Sequence, residues 1–383
     1  MLCMRSWQLN GVDLNRWLEY QTTNKYNKPS LIGEIEDYYY HRWYQNGQAA
    51  AGPLSLVINL TNRCNLRCSH CSKKAGFNNN EMAIDSVKRI LDESLASRVL
   101  GITITGGEPL IHSQFIEVVK MIKRYGFSLK TLTNLNTDSG KLEAVLDQMN
   151  PHTDVFQVSV DDVSDQYEKI RKGASFEKLS RNIKILKAQK FKVTVNMVIT
   201  RENVCHMKEV FDYCAEEGID NIRFTPYFGK DSSERLPDFR SMVTCFDQVL
   251  DSFDQKQPSI SISSDPVPIL YPVFEELKKD PEFCFGTDYY TCPACVTNME
   301  INIDGYAFPC SYLDDERYYG GNILTDSLNS IWNSDTFQQF RGYVSNDEAC
   351  RQCSQFEYCR GGCKADMIVH QGCLSGHDNG CRR

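Results

Sequence analysis

Cys64, Cys68 and Cys71 stand within eight residues of one another in the stretch "NLTNRCNLRCSHCSKKAG" (59–76). Thiolates bind zinc and iron–sulfur clusters, and a closed shell around either takes four donors. The C-x3-C-x2-C triplet supplies three. On an iron–sulfur cube it would leave one iron open to a small molecule, as catalytic metal sites keep one position open. The rival chemistry is a three-thiolate zinc site completed by His70. A second constellation, "TGGEP" (105–109), joins Gly106 and Gly107, which permit close backbone approach, to Glu108, a carboxylate able to accept from an ammonium group. A third lies near the other end of the chain. Cys295-x9-Gly305-x4-Cys310 is followed by Cys350-x2-Cys353-x5-Cys359-x3-Cys363, with Cys292 before and Cys373 and Cys381 beyond. These nine thiols exceed the four of a single zinc ribbon, although two zinc ions could use eight.

The 383 residues include 17 cysteines. No apolar signal-like segment opens the chain and no run approaches the length of a membrane span, so a cytoplasmic location is expected and no membrane partner. In a reducing compartment thiols in such number read as metal ligands rather than disulfides. The net charge is −8 without a basic stripe, which argues against a nucleic-acid partner.

The elements that must position these groups are legible as a rhythm. Short β-rich runs at 54–61, 101–107, 129–134, 155–161, 192–199 and 221–228 alternate with amphipathic segments at 84–98, 114–125, 141–149, 176–189 and 205–217. That alternation predicts βαβ units and a parallel sheet. Six strands are too few for a closed eight-fold barrel, so a partial barrel or a doubly wound sheet is expected. In either, chemistry gathers at the C-terminal ends of the strands. Both Cys64–Cys71 and Gly106–Glu108 follow a strand directly, and Asn134, Ser159 and Asn196 stand at or beside strand ends. The chain divides into an N-terminal extension (1–53, one or two short capping helices), an α/β core (54–228), a bridging segment (229–290) and a Cys-rich region (291–383) too poor in apolar residues to fold without metal staples.

The triplet after the first strand of a βα repeat resembles the radical S-adenosylmethionine superfamily. The resemblance implies a partial (β/α)6 barrel, with the open iron of a 4Fe–4S cluster chelated by the amino and carboxylate groups of S-adenosylmethionine. Reductive cleavage, fed by a flavodoxin- or ferredoxin-type electron donor, then gives a 5′-deoxyadenosyl radical that abstracts hydrogen from substrate. By the same resemblance His70 packs near the adenine, Gly106, Gly107 and Glu108 bind the methionyl amine, Ser159 binds the ribose or carboxylate and Arg171 binds the carboxylate. "VSVDD" followed by "YEKIRKG" carries those last two roles. Asn134 and Asn196 are either further cofactor contacts or strand-end caps.

The C-terminal pattern, together with "YGGNILTDSLNSIW" (319–332), resembles the SPASM extension of that superfamily. It implies two auxiliary 4Fe–4S clusters, hence three in all. Chain order implies Cys292, Cys295, Cys310 and Cys363 for one and Cys350, Cys353, Cys359 and Cys381 for the other. Cys284 or an open site is the alternative to Cys292, and Cys373 to Cys381. Cys3, Cys205, Cys214, Cys245 and Cys284 are left over and are expected to behave as small buried hydrophobes.

SPASM members mostly modify peptides or protein side chains, so oxidation or crosslinking of a ribosomally made peptide is the leading expectation. An oxidative or epimerising enzyme for a small molecule such as an aminosugar is the second. A non-enzymatic zinc-binding interaction protein is the third, and it leaves "TGGEP" and the open ligand position unexplained. Sulfatase-maturing members carry Asp after the cysteine matching Cys310; here it is Ser311, which disfavours formylglycine formation. Asp161, Asp314 and Asp315 are the candidate replacement bases. The first 53 residues are shorter than the leader-binding domain of many peptide-modifying members, so peptide capture is expected on another surface or through a partner protein.

Overall fold

Alternation of apolar residues along the β-rich runs puts one face of each strand against helices. The computed structural model describes residues 49–71, 80–264, 292, 294–353, 356 and 360–377, with the short antiparallel strands β1 (Gln8–Leu9) and β2 (Val12–Asp13). The remaining strands are β3 (Ser55–Asn59), β4 (Arg67–Cys68), β5 (Gly101–Thr105), β6 (Ser128–Thr133), β7 (Val155–Ser159), β8 (Arg171–Lys172), β9 (Lys192–Ile199), β10 (Asn221–Pro226), β11 (Ser261–Ser264), β12 (Asn298–Ile301), β13 (Tyr306–Phe308) and β14 (Gly321–Asn322). Ten of them form one sheet in the order β11-β10-β9-β7-β6-β5-β3-β12-β13-β14. It is parallel from β11 to β12, and β13 and β14 close it as antiparallel strands.

The six expected strands are all present in parallel register. The helices Ile84–Ala96, Phe115–Arg124, Ser139–Leu146, Phe176–Ala188 and Met207–Glu216 connect them, and Phe239–Lys256 follows the last. Their apolar stripes, among them Val87, Ile90, Val118, Ile122, Ile183 and Val210, meet Leu56, Ile58, Ile102, Ile104, Phe156 and Val195 in the core. Because these strand residues face the helices, the alternate residues lie on the opposite face. Ser159, Asn196, Arg223 and Ser263 form one such row across β7, β9, β10 and β11.

The sheet does not stop where composition changes at residues 228 and 291. β11, drawn from a Ser-rich segment with little periodicity, extends one edge, and β12 pairs with β3 on the other side. Asn59 Nδ2 donates to Ile301 O at 3.2 Å across this seam. Trp332, fully buried, anchors the C-terminal region by donating to Ala50 O at 2.9 Å. The capping helices expected in residues 1–53 fall almost wholly outside the described residues.

Candidate active site

The loop carrying Cys64, Cys68 and Cys71 leaves β3 and is stitched to three other parts of the core. After β5, Gly107 N donates to Thr61 O (2.7 Å) and Glu108 N to Arg63 O (2.8 Å). A Cβ on Gly106 would lie 2.4 Å from Thr61 O, and one on Gly107 would lie 2.1 Å from Arg63 O. The close approach these glycines allow is therefore first of all to the protein's own backbone. After β6, Asn134 Nδ2 donates to Asn65 Oδ1 (3.0 Å) and reaches 3.9 Å from Cys64 Sγ, while Asn65 Nδ2 donates to Asn136 O (2.8 Å). Beyond β7, β4 pairs antiparallel with β8, and Ser69 N donates to Ile170 O (2.9 Å).

This stitching sets the three thiols within one another's electrostatic reach. Burial pushes Cys64 up to about 11, and the neighbouring charges of Glu108, Cys68 and Cys71 add to it. Burial also raises Cys68, against the pull of Arg171. Thiols held up in this way need a cationic partner to ionise, and a bound metal centre supplies one. Beside them, His70 Nδ1 is buried and without a hydrogen-bond partner among the described residues. Three converging thiols and an orphaned ring nitrogen fit a cluster with a ligand on its open side. The other ring nitrogen of His70, Nε2, lies 3.3 Å from Asp161 Oδ2.

Glu108 is 2 % exposed. Its Oε1 accepts from Thr133 Oγ1 (2.6 Å) and Leu110 N (3.1 Å), and its Oε2 from Asn134 N (2.7 Å). Burial raises this carboxyl to about 7, although all three donors pull the other way. These donors hold it beneath the loop, where it clamps the end of β5 to the end of β6.

Asp161, fully buried after β7, accepts from Val198 N (2.9 Å) through Oδ1. Its Oδ2 lies 2.7 Å from Arg171 Nε. Burial would raise this carboxyl, but Arg171, then His70 and Val198 N–H, hold it below its usual range. Asp161 is thus the counter-ion of Arg171. Asp314 accepts from Asn302 and Tyr319 (2.8 Å each), and Asp315 pairs with Arg317 at 2.9 Å on the surface. Ser159 and Asn196 lie side by side in the open row, where Asn196 Oδ1 accepts from Thr225 Oγ1 (3.0 Å).

Cys292, Cys295, Cys310 and Cys363 form a second gathering. Burial raises Cys310 well above the ordinary thiol range, with Cys292 and Cys363 adding to it. Burial followed by Cys292 pushes Cys363 up to about 12. Burial also raises Cys295, with Arg341 opposing and Cys292 adding. Cys295 adopts a left-handed φ of 59° and its carbonyl accepts from Arg341 Nε. Lys364, next in sequence to Cys363, is half-buried with Nζ on Phe340 O (2.6 Å) and Arg341 O (3.0 Å). The rings of Phe228, just past β10, and Tyr312 lie 3.9 Å apart, so the Cys310 loop sits at the same end of the parallel strands as the first triplet.

Cys350 is 2 % exposed, and Cys353 N donates to Cys350 O at 2.9 Å. Cys373 is exposed, whereas Cys359 and Cys381 lie outside the described residues, as do Cys3 and Cys284. Of the leftover thiols, Cys214 and Cys245 are buried as expected and Cys205 is exposed, a correction. Sequence reasoning passed over Thr133, Asn65, Asn136 and Lys364. The position of Lys364 beside Cys363, and of Asn65 between two cysteines of the triplet, were the available signals.

The family model of the Radical SAM superfamily matches residues 58–214, and that of the SPASM iron–sulfur cluster-binding domain matches residues 292–354. The chain therefore carries a radical SAM domain on its α/β partial-barrel core, followed by a SPASM domain, and these are domains of S-adenosylmethionine and iron–sulfur cluster chemistry. Among curated proteins it is 26% identical over 341 residues to PqqA peptide cyclase of Gluconobacter oxydans (strain 621H), covering 86% of this chain and 90% of that one. Two solved structures of Streptococcus suis SuiB share the fold at 20% identity. The complex with S-adenosylmethionine has a TM-score of 0.74 and covers 93% of this chain and 82% of that one. The complex with precursor peptide SuiA has a TM-score of 0.75 and covers 97% and 86%. Native anSMEcpe with bound AdoMet follows at TM-score 0.65 and 18% identity, covering 86% and 94%. Among the described residues no helix is long and apolar enough to cross a membrane.

Proposed function

We propose that the chain modifies a peptide or protein substrate by hydrogen abstraction, in a net oxidation or crosslink. When bound, a 4Fe–4S cluster with S-adenosylmethionine on its open iron supplies a 5′-deoxyadenosyl radical. Cys64, Cys68 and Cys71 hold that cluster. The backbone of Gly106 and Gly107, the buried Nδ1 of His70, and the neighbouring Ser159 and Asn196 orient the cofactor. Glu108, Asn134 and Arg171, whose polar atoms are engaged by protein groups, brace the cysteine loop against strand ends. Cys292, Cys295, Cys310 and Cys363 hold one auxiliary cluster, and Cys350 and Cys353, with Cys359 following in sequence, hold another. A flavodoxin- or ferredoxin-type protein supplies the electron, and the chain works in the reducing cytoplasm.

The observation that carries this reading is the convergence of three thiols on a loop stitched to the ends of β5 and β6 and to β8, with an orphaned imidazole nitrogen beside them. A peptide substrate is favoured because PqqA peptide cyclase and the SuiA-bound SuiB, which match most of the chain, are a peptide cyclase and a precursor-peptide complex. The test is anaerobic reconstitution followed by dithionite, S-adenosylmethionine and synthetic peptides encoded beside the gene. The expected result is 5′-deoxyadenosine and a peptide mass change equivalent to lost hydrogen, both absent from a Cys64/Cys68/Cys71→Ala variant. Iron should be about twelve per chain and fall to about eight in that variant. Turnover of an aminosugar with inert peptides would overturn the substrate class. Stoichiometric zinc with little iron would overturn the reaction itself.

A further inference from the structure

Asp347, Cys350 and His377 bring a carboxylate oxygen, a thiol sulfur and an imidazole nitrogen within 4.8 Å of one another. The grouping is organised by Asp347. Its Oδ1 accepts from Ala349 N (2.8 Å) and so caps the short helix Glu348–Arg351 that carries Cys350. Its Oδ2 lies 2.6 Å from His377 Nδ1, which donates to it. One carboxylate therefore fixes both the turn that presents the sulfur and the orientation of the imidazole. A carboxylate on one ring nitrogen directs the proton there and leaves the other nitrogen with a free lone pair, which is the arrangement of metal-bound histidines. Cys350 is almost fully buried, so the third member is not a chance surface neighbour. Cys373, one of two cysteines considered for the last ligand position, is exposed, lies 3.2 Å from Ser375 Oγ and is not part of the group.

We propose that His377 is a ligand of the metal centre at Cys350, oriented by Asp347. In this assignment the imidazole of His377 takes the position that cysteine counting gives to Cys381. Imidazole in place of thiolate removes one negative charge from the ligand set and raises the potential of an iron–sulfur centre, as histidine does where it replaces cysteine on iron. The centre at Cys350 would then be easier to reduce than an all-cysteine centre at Cys292, Cys295, Cys310 and Cys363. The proposal rests on the reading that the C-terminal cysteines hold iron–sulfur clusters.

The experiment uses the full chain in a Cys64/Cys68/Cys71→Ala background, so that the first cluster does not contribute. The protein is reconstituted anaerobically with iron and sulfide and labelled with 15N-histidine. Pulsed EPR of the reduced protein should show 15N hyperfine coupling that persists in Cys381→Ala and disappears in His377→Ala. His377→Cys, which restores a donor, should keep the iron and lose the coupling, and this separates ligation from folding. Asp347→Asn should keep the coupling but lose iron to a chelator about 10–100-fold more readily. Absence of nitrogen coupling, with iron lost in Cys381→Ala and retained in His377→Ala, would overturn the assignment. Zinc instead of iron at this position, lost in His377→Ala, would support His377 as ligand and overturn the cluster reading on which the function rests.

Discussion

Arg171 stands with Nη1 3.7 Å from Cys68 Sγ, so the guanidinium reaches the middle cysteine of the triplet from a residue 103 positions later in the chain. The contact is held by β8 pairing with β4, and Asp161 balances the charge from the other side at 2.7 Å. Removing that balance should be costly, since breaking a buried pair strands a buried charge. Asp161→Asn is expected to destabilise the metal-free chain by about 3–5 kcal/mol. Urea unfolding of the two proteins checks this, and a change below 1 kcal/mol (about a fivefold change in the folding constant) would mean that Arg171 has found another partner.

Gly107→Ala would set a Cβ 2.1 Å from Arg63 O, where neither backbone can yield without moving the cysteine loop. The expected cost is about 1–3 kcal/mol of strain. Reconstituted iron should fall by about four per chain while the C-terminal centres stay loaded. Retention of full iron would show that the loop tolerates displacement.

Glu108 gives a pH signature. Its folded carboxyl is raised to about 7 from a reference of 4.5. The folded state then binds more protons than the unfolded state between those values, so this group's contribution to stability declines as pH rises through that window. Glu108→Gln lacks the effect. The variant should be the less stable protein at pH 5, where it lacks one acceptor oxygen. Its deficit should shrink by about 2.5 kcal/mol by pH 8. Parallel stability curves for the metal-free proteins would contradict the raised carboxyl.

Lys364 and Arg341 place positive charge against Cys292 and Cys295, which favours the more negative, reduced state of a cluster bound there. Lys364→Met should shift the reduced-to-oxidised ratio of that centre about tenfold toward the oxidised form at fixed potential, 59 mV for one electron. EPR-monitored potentiometry reads this directly. An unchanged midpoint would place the charge too far from the metal to matter.

Much of the core was written locally. The spacing of Cys64, Cys68 and Cys71, the placing of Gly106–Glu108 after β5, and the six-fold βα rhythm all depend on residues a few positions apart. Periodicity and turn chemistry report on that scale. The pattern Cys295-x9-Gly305-x4-Cys310 belongs here too, because Gly305 takes a positive φ of 88° in the turn before β13. The tertiary structure alone decided that Asp161 neutralises Arg171, that Glu108 is a clamp, that β12 extends the sheet from β3, and that Asp347 joins Cys350 to His377. Each of these brings together polar groups that lie far apart in sequence, or turns a group that sequence left open toward a particular partner. A buried charge must find a counter-charge or donors wherever the fold supplies them, and that choice leaves no periodic trace in the chain.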